Sequence, residues 1–99
     1  MNEYLYVLKL VKRLHLKENW SEDDNNVIKD HFEHLVKLKN SGQLILAGKT
    51  QNDDKDTFGL VIFKANSFDE AKDIAYNDPA VINNIMTVEL FDYKVAITG

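Results

Sequence analysis

The chain has no cysteine, one proline and four glycines in 99 residues. Without cysteine there is no disulfide framework, thiol nucleophile, cysteine-ligated zinc or iron–sulfur cluster, and a reducing cytoplasm suits the protein. Four glycines leave little material for a phosphate-cradling loop, and no Gly-rich nucleotide motif or nucleophile elbow occurs. No cofactor is expected. Positive charge is also scarce: 12 Lys and Arg face 16 Asp and Glu, giving a net charge of −4. That is the wrong sign for a domain bound through phosphate contacts, so nucleic acid is not an expected partner. No stretch approaches the roughly 18 apolar residues of a membrane span. The start, Met1-Asn2-Glu3-Tyr4, has neither the basic residues nor the apolar run of a secretion signal. A soluble cytoplasmic protein without membrane contact is expected.

What is present is globular material. A hydrophobic fraction of 44% and a charged fraction of 28% exclude a disordered tail, and the length suits a single domain over residues 1–99. For this mass a folded monomer exposes roughly 5,800 Å², about a third of the surface of the open chain.

Tyr4 to Val11 is short, rich in aromatic and branched residues and nearly free of charge, which predicts a first strand. After an unpatterned stretch from Lys12 to Trp20, Ser21 is a candidate N-cap. Glu22, Asp23 and Asp24 follow it in the first turn, where carboxylates favour the helix dipole. Ile28, His31, Phe32, Leu35 and Leu38 continue with helical spacing to a stop at Ser41-Gly42, a helix of about 18–20 residues. Gln43–Ala47 and Phe58–Phe63 read as strands separated by a polar loop. Ser67-Phe68-Asp69-Glu70 reads as a capping box opening a helix through Tyr76. Asp78-Pro79 fits an N-cap with proline at the first position of another turn, and Met86–Ile97 reads as the last strand.

The order β-α-β-β-α-β is the split βαβ arrangement: an α+β, ferredoxin-like fold with one antiparallel sheet and two helices on a single face. Alternation along the last strand puts Val88 and Leu90 on one side and Phe91, Tyr93 and Val95 on the other, and the first strand is apolar on both sides. An apolar second face predicts a homodimer packed sheet against sheet.

His31 is the anomaly of the first helix, because it falls inside the apolar arc of Val27, Ile28, Phe32, Leu35, Val36 and Leu38. Two readings stay open: a core imidazole satisfied by one partner, or a functional group. His34 lies at the edge of the same arc. Two imidazoles without cysteine or a facing carboxylate make a poor zinc set, and no metal is expected. The run Asp53-Asp54-Lys55-Asp56 lacks the calcium-loop pattern and reads as a solvated turn. Asp78 is accounted for by capping alone, yet a second carboxylate oxygen stays free to accept from an imidazole.

In order and spacing, His31-Phe32-Glu33-His34-Leu35, Gly42-Gln43-Leu44, Ala47-Gly48, Ser67-x-x-Glu70-Ala71 and Asp78-Pro79-Ala80-Val81 resemble the YCII-related family over nearly the whole chain. Asn19-Trp20-Ser21 resembles the Trp-containing lead-in of many relatives. The resemblance implies a ferredoxin-like dimeric α+β barrel with a site built from a helix histidine and the Asp of an Asp-Pro pair, here His31 and Asp78. His34 matches a second histidine of one branch. Lys49 stands where proline is frequent, Ile28 where an arginine often precedes the histidine, and Asp92-Tyr93 where Pro-Trp is usual.

A His31–Asp78 dyad would support acid–base chemistry of lyase or isomerase type on a small molecule of unknown identity. His34, Trp20, Tyr6 and Tyr93 are candidate substrate-binding residues, with core packing the competing account of each aromatic. The alternative is a non-catalytic dimeric module that binds a small ligand with the same residues.

Overall fold

The computed structural model describes residues 1–99. Four strands, β1 (Asn2–Leu10), β2 (Leu44–Lys49), β3 (Gly59–Ala65) and β4 (Met86–Tyr93), form one antiparallel sheet in the order β2-β3-β1-β4. The helices are α1 (Glu22–Asn40), α2 (Phe68–Tyr76) and the single-turn α3 (Pro79–Ile82). The fold is α+β and ferredoxin-like. None of its helices is long and apolar enough to cross a membrane.

One face of the sheet carries the core. Tyr4, Tyr6 and Leu8 of β1 and Val61, Phe63 and Ala65 of β3 alternate inward against Leu35 and Leu38 of α1 and Ala71 and Ala75 of α2. On the other face Leu5 lies between Ile62 and Phe91 in register, and Phe91 and Tyr93 are each 43% exposed. In the isolated chain Ile62 is buried and Leu5 half-buried on that face, and its β4 edge is open to water.

Several elements differ from the sequence expectation, each for a local reason. The last strand stops at Tyr93 rather than Ile97, because Tyr93 pairs with Glu3 and β1 has almost no residues left to extend the ladder. The unpatterned Lys12–Trp20 stretch contains two short 3-10 turns, Lys12–His15 and Lys17–Asn19. Phe32 and Val36 are exposed, 60% and 52%, although both fall in the predicted arc. The buried stripe of α1 centres on Asp24, His31, Leu35 and Leu38, and Phe32 and Val36 sit one position further round the helix.

The caps also divide. Ser21 and Asp24 form a complete capping box on α1. Ser67 accepts from the Glu70 N–H, but the expected return bond is missing. The Glu70 carboxylate is occupied by the Gln43 side-chain amide and the Asn66 N–H. At the other end of α1, Gly42 takes φ +81°, a left-handed conformation that costs glycine little and lets Gln43 N–H reach the Leu38 carbonyl at 3.1 Å.

Candidate active site

The site begins with two local rules. Helical spacing places His31 on the buried stripe of α1, and the Asp78-Pro79 pair starts α3 with Asp78 accepting from the Ala80 N–H at 3.0 Å. Packing of α1 against α3 then joins them. His31 Nδ1 lies 2.8 Å from both Asp78 carboxylate oxygens, and the Tyr6 hydroxyl donates to Asp78 Oδ2 at 2.9 Å. Asp78 is wholly buried and His31 nearly so.

Burial on its own would push the Asp78 carboxyl up. The hydrogen bond and charge of His31, the Ala80 N–H and the Tyr6 hydroxyl outweigh it and hold the group below the usual carboxylate range. Asp78 is therefore an ionised acceptor at neutral pH, and the Nδ1 atom facing it carries a proton. Tyr6 moves the opposite way: burial, then the adjacent Asp78 charge and hydrogen bond, raise its phenol far above the ordinary value. It stays a neutral donor.

The second ring nitrogen of His31 has no protein partner and is not sealed from solvent. His31 lines a cavity of about 720 Å³, within the range of small-molecule sites. Leu14, Trp20, Ile28, Phe32 and Met86 contribute apolar wall, and Lys49, Asp53, Asp54 and Thr57 bring polar groups from β2 and the loop that follows it. A neutral imidazole bonded to Asp78 through Nδ1–H presents a lone pair at Nε2 on this cavity's side.

Not all candidate residues meet there. Trp20 lines the cavity, but its indole N–H is committed to the Leu14 carbonyl at 3.0 Å, so it offers a surface rather than a donor. Tyr6 is fully buried and absent from the lining; it supports Asp78 from behind. His34 is also absent from the lining, and its Nε2 is buried without a hydrogen-bond partner. Tyr93 lies on the open face of the sheet, away from the pair. No group of three or more His, Cys, Asp or Glu side chains is arranged to hold a metal ion.

Asp53, Asp54 and Thr57 line the cavity although the acidic run they belong to reads along the sequence as simple solvation. Arg13, in a stretch without periodicity, contacts Asp24 through two nitrogens at 2.9 Å each. A signal was available: Arg13 is the chain's single arginine, set in the stretch that leads into a capping serine.

Residues 6–94 match the YCII-related domain family. Among solved structures the chain is similar to 5-chloro-2-hydroxyhydroquinone dehydrochlorinase from Burkholderia phenoliruptrix AC1100, in complex with 2,5-dihydroxybenzoquinone. The TM-score is 0.70 and the identity 19%, with 93% of each chain covered. At that identity the likeness establishes the fold. None of the curated proteins compared with the chain matches it. The chain belongs to the YCII-related family.

Proposed function

We propose that this YCII-related protein is a homodimeric cytoplasmic enzyme performing acid–base chemistry of lyase or isomerase type on a small organic molecule. The observation that carries the reading is His31 Nδ1 held 2.8 Å from both oxygens of buried Asp78, with His31 lining a largely apolar cavity and its second ring nitrogen without a protein partner. In the proposed step Nε2 takes a proton from an acidic C–H or phenolic O–H, and the electron pair left behind passes into the substrate's π-system. Asp78 steadies the imidazolium through Nδ1–H. The proton then returns to another substrate atom, or a leaving group departs with the electron pair.

The fold likeness to a dehydrochlorinase selects the first compounds to try: hydroxylated and chlorinated hydroxyquinols. On any compound turned over, His31→Ala and Asp78→Asn are expected to lower kcat by about 10²–10⁴ with the fold intact. Full turnover by either variant would remove the pair from the mechanism. Saturable binding without turnover across the panel would favour a non-catalytic ligand-binding module.

Homodimerisation is supported by the sheet face opposite the helices, where Phe91 and Tyr93 are exposed beside half-buried Leu5. The chain exposes 6663 Å². That exceeds the roughly 5,800 Å² expected of a compact monomer of this mass. Light scattering at micromolar concentration should give twice the chain mass, and a monomer would contradict it.

A further inference from the structure

One wall of the cavity is neither strand nor long helix. Residues 11–20, between β1 and α1, form a strap that contributes Leu14, His15, Lys17 and Trp20 to the lining. Its own turns supply few backbone bonds, so side chains must hold it. Arg13 donates from its two terminal nitrogens to the two oxygens of Asp24, each at 2.9 Å, and also to the Asn19 carbonyl at 3.0 Å. Asn19 returns a bond from its amide to the Arg13 carbonyl at 2.8 Å. Asp24 is itself fixed by the Ser21 N–H and hydroxyl at the start of α1.

Thus one guanidinium ties both ends of the strap to the helix that carries His31. Trp20 completes the closure by donating to Leu14, whose buried side chain packs with Ala80 and Ile85. Ala80 is the residue whose N–H holds Asp78. The wall therefore packs on the residue that caps Asp78.

We propose that Arg13 is a positioning residue: its two-pronged contact with Asp24 latches the strap against α1 and seats Trp20 as a wall of the cavity. The inference rests on that cavity being the reaction chamber, yet its test reads the strap and not turnover. A guanidinium is suited to the task because its planar fork matches a carboxylate at two points, whereas a lysine ammonium meets it at one. Arg13 itself lies outside the cavity lining, so it acts through Trp20 and Leu14 and touches no substrate.

Trp20 is the only tryptophan, so its fluorescence reports on the strap alone. In Arg13→Gln, acrylamide quenching of Trp20 should rise at least about twofold, and amide exchange over residues 11–20 should quicken about tenfold as that segment opens locally. Exchange in β1 and in α1 beyond its first turn should stay at the native rate. Arg13→Lys should fall between the two, and Lys12→Gln, which removes the neighbouring charge, should match the native protein. The proposal is overturned if Arg13→Gln leaves strap exchange and Trp20 quenching unchanged. It is equally overturned if exchange quickens alike across the whole chain, since Arg13 would then hold the fold and not the wall.

Discussion

Asp24 and Asp78 are both buried aspartates at helix starts, both held below the ordinary carboxylate range, and their partners give them different capacities. The hydrogen bond from Arg13, followed by the Ser21 N–H, dominates at Asp24. A guanidinium keeps its charge at every accessible pH, so that pair is a fixed tie. Asp78 faces an imidazole, which can gain and release a proton, and the free side of that ring lies toward a cavity. A low carboxyl beside a helix start is therefore not in itself a mark of chemistry. The group across from it decides.

The largest expected effect that separates the two is on stability. Asp78→Ala leaves the Tyr6 hydroxyl, His31 Nδ1 and Ala80 N–H without their shared acceptor in the interior, and should cost about 3–5 kcal/mol. Asp24→Ala should cost clearly less, because the Arg13 side chain is 49% exposed and its guanidinium regains water. Denaturant unfolding of the two variants checks the order. Equal losses would mean that the Asp24 tie is as deeply structural as the Asp78 cluster, and the contrast would fail.

That contrast also marks how far the sequence could be read. His31 was visible as a polar interruption of an apolar stripe, and Asp78-Pro79 as a helix start, because both signals are local and periodic. Their meeting was suggested by family resemblance, since spacing along the chain does not say which faces of α1 and α3 pack together. The third member was hidden for the same reason. Alternation groups Tyr6 with Tyr4 and Leu8 on one side of β1, but not which hydroxyl finds an acceptor 72 residues away. Phe32 and Val36 are exposed although they lie in the apolar arc, because a wide arc does not reveal which edge the sheet covers. The Arg13–Asp24 tie crosses an aperiodic segment, where periodicity has nothing to say.

A smaller effect sharpens the same comparison through Tyr6, the donor that has no counterpart at Asp24. Tyr6→Phe removes one of three donors to Asp78 while keeping the ring that packs edge-on to Phe63, and should cost about 1–2 kcal/mol at neutral pH. The phenol's folded value lies above its unfolded value of about 10, so its contribution is whole below that pH and is lost as pH climbs past it. The unfolded chain releases this proton while the folded chain keeps it, a slope of about 1.4 kcal/mol per pH unit against folding. Phenylalanine has no such proton. The stability gap between the native protein and Tyr6→Phe should therefore narrow as pH is raised from 8 to about 11, read by denaturant unfolding at each pH. The Arg13–Asp24 tie contributes no alkaline slope over that range, because neither partner changes charge there. A gap that stayed constant would separate Tyr6 from Asp78 and reduce the cluster to His31 and its carboxylate.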